Sequence, residues 1–169
     1  ILFVLGLFFL SPAMRALLWQ VSAFTLAHTV TLALSTLGIV SISPTIVEPL
    51  IAATIVYVAV ENIFAKKLHA WRPPIVLGFG LLHGLGFASV LTTFGLPQGG
   101  FLAALIGFNV GVELGQLAVI LGAFLAVGFW FRRKTWYRTA IAVPASVLIA
   151  AVGAFWFAER VGLIFGRGI

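Results

Sequence analysis

Cysteine and aspartate are both absent from the 169-residue sequence, and charge of either sign is scarce. Without cysteine there is no disulfide framework and no thiolate metal site. Without aspartate, the four carboxylates are all glutamates: Glu48, Glu61, Glu113 and Glu159. Charged residues make up 8% of the chain, against roughly a quarter in soluble domains. Hydrophobic residues make up 62%, and mean hydropathy is +1.20. This balance excludes a soluble globular domain and describes an integral membrane protein. Phosphate-cradling loops, an ATP-binding motif and nucleic-acid motifs are also missing, so the formal charge of +6 needs another explanation.

That explanation lies in where the basic residues sit. Eight of the ten Lys and Arg fall in three short loops: Arg15; Lys66, Lys67 and Arg72; and Arg132, Arg133, Lys134 and Arg138. The intervening loops have none, and the C-terminal end has Arg160 and Arg167. Such asymmetry sets membrane orientation. It predicts a multi-pass protein of the bacterial inner membrane, with the three basic loops cytoplasmic and both ends of this chain periplasmic.

The apolar runs predict an all-α, polytopic transmembrane bundle of about six spans, forming one domain over residues 1–169. A span needs ~20 apolar residues. Residues 1–10 are too few and lack a basic region or a small-residue cleavage site, so they read as the back half of a first helix. The second span covers about 18–40. Ser43-Pro44 opens the third, as an N-cap followed by Pro at the first helical position, and Lys66-Lys67 closes it. Arg72-Pro73-Pro74 starts the fourth. An uncharged turn, 95–100, leads to the fifth at about 101–131. The sixth runs over about 139–158 and contains Pro144. His69 falls in a loop and reads as solvated.

Polar side chains at membrane depth are expensive and usually face the bundle interior or a cavity. The fourth span has His83 inside Gly80-Leu81-Leu82-His83-Gly84-Leu85-Gly86, with small residues that let a neighbouring helix approach. The second has His28, in a stripe with Thr25 and Ser35 and with Thr29 and Thr36 beside it. The third has Glu48 near its start and Glu61 and Asn62 near its end; Arg72 is a candidate partner for Glu61. In the fifth, Asn109, Glu113 and Gln116 share one helical face by the i, i+4 and i+7 rule. His28 and His83 each lie ~13–15 Å from the cytoplasmic face at ~1.5 Å per residue, and Glu113 lies at similar depth.

Two imidazoles and a carboxylate suit a borderline divalent metal, nickel, cobalt or zinc. The expected donors are therefore His28, His83 and Glu113. Glu61, Asn62, Asn109, Gln116 and Thr25 are expected as secondary ligands or supports. The same groups also suit a proton relay or helix–helix contact. No His-x-x-x-His or His-Glu pair of the hydrolytic kind is present, which argues against an enzyme.

Four segments carry a family likeness: Phe24-Thr25-Leu26-Ala27-His28-Thr29; Ile55-Val56-Tyr57-Val58-Ala59-Val60-Glu61-Asn62; Phe79-Gly80-Leu81-Leu82-His83-Gly84-Leu85-Gly86-Phe87-Ala88; and Phe108-Asn109-Val110-Gly111-Val112-Glu113-Leu114-Gly115-Gln116. In order and nearly end to end, the chain resembles the HupE/UreJ family, in the branch with FGLLHGLGFA and FNxGVELGQ signatures. The resemblance implies a compact helical bundle and secondary transport of nickel or cobalt. The family's Gly-x-Asp-His motif stands just before the segment matching Ile1–Leu5. The alternative function is an accessory or structural subunit. The expected partners are the lipid bilayer together with a larger membrane complex or further copies of the chain, and no nucleic acid.

Overall fold

A computed structural model describes residues 1–11, 13–65, 71–93 and 100–162, with Leu10, 88–93 and Phe101 described in backbone alone. The described residues are helical, without strands. Helix α1 is Leu2–Leu10, α2 Met14–Thr36, α3 Pro44–Phe64 and α4 Arg72–Thr93; α5 is Phe101–Ala123, α6 Phe129–Phe131 and α7 Val143–Arg160. Among the described residues four stretches are long and apolar enough to cross a membrane: Met14–Thr36, Pro44–Phe64, Leu102–Phe131 and Arg138–Arg160. Lys66, Lys67, His69, Arg167 and most of the 95–100 turn lie outside the described residues.

The helix boundaries follow from local chemistry. Ser43 precedes α3 with Pro44 at its start, where the missing proline N–H is no loss. Pro144 at the start of α7 cannot donate to the carbonyl of Ala140. The chain meets that defect with a widened π-turn over Arg138–Ala142. A second π-turn, Phe124–Gly128, joins α5 to α6. There a Cβ on Gly128 would stand 3.0 Å from the Phe8 ring and 2.9 Å from the Phe124 ring, so the wider turn accommodates two aromatic side chains. In the following loop Tyr137 is buried, which pushes its phenol up from its usual value, while Arg132 opposes the shift.

Helix α1 runs through the middle of the bundle. Its Phe3, Val4, Leu7 and Phe8 join Leu17, Val21 and Phe24 of α2, Ile55, Val58 and Ala59 of α3, and single residues of α4, α5 and α7 in one core. Two helix pairs dominate around it, α2 with α4 and α3 with α7. In lipid, apolar burial does not itself drive helices together, so close packing and interhelical hydrogen bonds must do so. The α2–α4 pair shows how. A Cβ on Gly80 would meet the carbonyl and Cα of Phe24, and one on Gly84 would meet the Thr31 hydroxyl and the His28 carbonyl. Thr31 Oγ1 donates across the gap to the Leu81 carbonyl at 2.6 Å. The two glycines therefore set the spacing of the helices that carry the two histidines.

Candidate functional site

His28 and His83 come from that tightest contact. Both are buried, at 1% and 7% exposure, and both line a cavity of about 570 Å³. Phe24 contacts each ring, its centroid 6.1 Å from that of His28 and 5.1 Å from that of His83. Phe3 packs against His83 at 5.2 Å, and Phe87 and Phe108 pack against His28. His83 Nε2 shares a 2.9 Å hydrogen bond with Thr54 Oγ1 of α3. That fixes the ring and directs Nδ1 elsewhere. Among the described residues neither ring nitrogen of His28 has a hydrogen-bond partner. An unpartnered buried polar group costs stability, and it is the kind of atom a ligand satisfies.

Gln116 is the third polar residue on the cavity wall. Thr25 Oγ1 donates to its Oε1 at 2.9 Å, which leaves the side-chain amide N–H groups as donors. Its neighbours on α5 serve a different purpose. Glu113 Oε1 accepts from Ser22 Oγ at 3.1 Å, and Asn109 Oδ1 accepts from Thr29 Oγ1 at 2.7 Å. Ser22, Thr25 and Thr29 thus form a hydroxyl ladder that clips α2 to the antiparallel α5. Asn109 is completed by its Nδ2 donating to the Leu105 carbonyl.

The expected trio of His28, His83 and Glu113 is not brought together. Among the described residues no group of three His, Cys, Asp or Glu side chains could hold a metal ion. Glu113 is absent from the cavity lining because its face of α5 is turned to Ser22. Its buried oxygen Oε2 makes no hydrogen bond among the described residues.

The expected group at the end of α3 is also apart from the histidines. Asn62 stands eight residues beyond Thr54, ~12 Å along the helix. Its Nδ2 donates to the Gly6 carbonyl at 2.7 Å and to Ser146 Oγ at 3.2 Å, tying α3 to α1 and α7. Glu61 faces Arg72, with Oε2 3.7 Å from Nη1. The Arg72 side chain is 2% exposed and makes no hydrogen bond among the described residues, so this carboxylate is the counter-charge of a buried guanidinium. Arg138 closes the same end by donating to the carbonyls of Asn62, Ile63 and Ala65. Glu48 and Glu159 both pair with Arg160 at the opposite end.

Sequence reasoning missed Thr54, Ser22 and Ser146. Thr54 and Ser146 are single hydroxyls in apolar runs, Ser22 stands between Gln20 and Thr25, and only the partner of each shows its purpose. Thr54 did carry a signal, since it lies seven residues before Glu61 and so on the same helical face.

These features define a multi-helix membrane protein whose interior holds a histidine-bearing cavity. The family model described as HupE / UreJ protein matches residues 1–160, and the chain belongs to that family. No curated protein and no solved structure matches it.

Proposed function

We propose that this protein is a secondary permease for a divalent transition metal, nickel or cobalt before zinc, with His28 and His83 as its imidazole donors. One observation carries the reading: His28 opens onto the cavity it shares with His83 while both its ring nitrogens lack a partner among the described residues. Neutral imidazole is a preferred ligand of these ions. Gln116 lies on the same wall, and Glu113 is the carboxylate of the adjoining α2–α5 seam. The HupE/UreJ family is associated with nickel and cobalt transport and is not a known enzyme family, which agrees with this choice.

The reading includes six passes in a bacterial inner membrane, with the basic loops cytoplasmic and both ends of this chain periplasmic. Exposed tryptophans support placing the basic loops at a membrane–water interface. Trp19, Trp71, Trp130 and Trp136 all lie beside the basic loops, where interfacial aromatics collect. The chain carries no ATP-binding motif, so in this reading a gradient or a partner's energy drives transport.

Metal analysis of the purified full-length protein tests the proposal. After loading with nickel or cobalt, the wild type should retain about one ion per chain, and a His28→Ala/His83→Ala variant should retain none. A folded wild type that retains no metal would sink it. A second reading, an accessory subunit, draws support from the interhelical hydrogen bonds of Asn62, Asn109 and Glu113. It requires a stable partner to co-purify.

A further inference from the structure

The Thr25 hydroxyl stands at a fork. Its Oγ1 lies 2.9 Å from Gln116 Oε1 and 3.2 Å from the Val21 carbonyl, one turn back on α2. Both oxygens are acceptors, and a hydroxyl has one proton to give and two lone pairs with which to accept. The proton therefore serves only one of them fully at a time. When it goes to Gln116, the amide is held by its oxygen. When it goes to Val21, Thr25 can still hold Gln116 by accepting from Nε2. That second arrangement needs only a half-turn of the amide about its last side-chain bond, which exchanges its O and N in nearly the same places. The turn loses no hydrogen bond between Thr25 and its neighbours, and it frees Oε1 from α2.

Asn109 cannot make the same turn. Its Nδ2 donates to the Leu105 carbonyl at 2.8 Å, and a half-turn would set Oδ1 against that oxygen. Gln116 also lines the cavity, and Asn109 does not. The two imidazoles lie at the level of the Thr25–Gln116 contact. Thr25 precedes His28 by three residues, ~4.5 Å along α2, and helical side chains lean toward the N-terminus of their helix, so the His28 ring leans back toward Thr25. Phe24, next to Thr25 in the chain, contacts both rings, with centroid separations of 6.1 Å to His28 and 5.1 Å to His83.

We propose that Gln116 is a reversible ligand of the transported ion: its Oε1 leaves Thr25 to coordinate nickel or cobalt alongside the imidazoles, and returns to Thr25 when the ion departs. The proposal rests on the transport reading above and names how the same site takes up and releases its ion. Thr25 accompanies both moves, as donor to Oε1 in the empty site and as acceptor from Nε2 in the filled one. An amide carbonyl is a weaker ligand for these ions than imidazole, and a hydrogen bond replaces the metal bond it gives up. Its departure therefore costs little, which suits an ion that must leave.

Nickel binding to the purified full-length protein, measured by equilibrium dialysis, tests this together with X-ray absorption of the bound metal. Gln116→Leu should bind nickel at least about tenfold more weakly with a nearly unchanged melting temperature. Gln116→Glu keeps the side-chain length and an oxygen for Thr25, and should bind at least about tenfold more tightly, a gain that lost packing cannot produce. Gln116→His carries a ring nitrogen to the reach of Oε1 and should add one imidazole to the nickel shell of the wild type. The Glu and His variants decide the matter even where Gln116→Leu does not fold. Wild-type affinity in folded Gln116→Leu, or no added imidazole in nickel-loaded Gln116→His, overturns the assignment of Gln116 and leaves the histidines as donors. If the folded wild type binds no nickel or cobalt, the transport reading falls, and the role of Gln116 with it.

Discussion

Replacing Gly84 with alanine adds one methyl group at the point where α2 and α4 are closest. Its Cβ would fall on the Thr31 hydroxyl and the His28 carbonyl, and would lie 3.0 Å from the Leu32 amide nitrogen. Two of these three atoms belong to the backbone and cannot rotate aside, so the helices must separate. Overpacking of this kind costs ~1–3 kcal/mol. Stretching the 2.6 Å Thr31–Leu81 hydrogen bond adds roughly 0.6 kcal/mol, the average for such bonds in a membrane. Alanine is the better helix former by about 1 kcal/mol, which leaves a net loss of about 0.6–2.6 kcal/mol. Gly111→Ala is the control. With nothing near its Cβ, only the helix preference remains, and the variant should gain up to ~1 kcal/mol. Unfolding in mixed detergent micelles, followed by circular dichroism, measures both. Because His28 and His83 flank the contact, Gly84→Ala should also retain less metal. The reasoning is refuted if Gly84→Ala is as stable as the wild type, or if both variants shift in the same direction.

Thr54→Val keeps the shape of the side chain but removes the partner of His83 Nε2. Metal affinity by equilibrium dialysis should fall about 10- to 100-fold with stability within ~1 kcal/mol of wild type; unchanged affinity would separate Thr54 from the site. Glu61→Gln strands the buried Arg72 guanidinium and should cost about 3–5 kcal/mol, whereas Glu61→Leu with Arg72→Leu should cost far less. A double variant as unstable as the single one would contradict that pairing. Arg138→Ala releases three carbonyls at the end of α3 and should lower stability by about 2 kcal/mol. The exposed Arg133 makes the comparison, its removal costing no more than ~0.5 kcal/mol.

Helix periodicity and breakers made much of the fold readable in advance. Ser43-Pro44 and Arg72-Pro73-Pro74 marked the starts of α3 and α4, and the expected 101–131 run appears as α5, a π-turn and α6. Glycines beside His83 correctly announced a close helix approach. The sequence did not reveal which helix each polar residue would face. Thr25, His28 and Thr29 look like one stripe, yet the two threonines bond α5 while His28 turns to the cavity. A helix turns 100° per residue, so side chains adjacent in a stripe diverge enough to meet different neighbours. Glu113 was expected beside the histidines on grounds of depth alone. Depth says nothing of azimuth, and its azimuth is set by Ser22. The burial of Arg72 was also unreadable, because a basic residue before two prolines looks like any membrane-edge anchor.

The glycine contact between α2 and α4 has a kinetic consequence. His28 and His83 ride on two helices whose backbones touch, so the gap between the imidazoles is a fixed dimension of one rigid body. A transport cycle cannot open and close the site by drawing the histidines apart. Exposure to one side and then the other must come from the surrounding walls, which α1, α3, α5 and α7 supply. The histidine pair is the stator of any such cycle, and its occupant leaves when the enclosure moves.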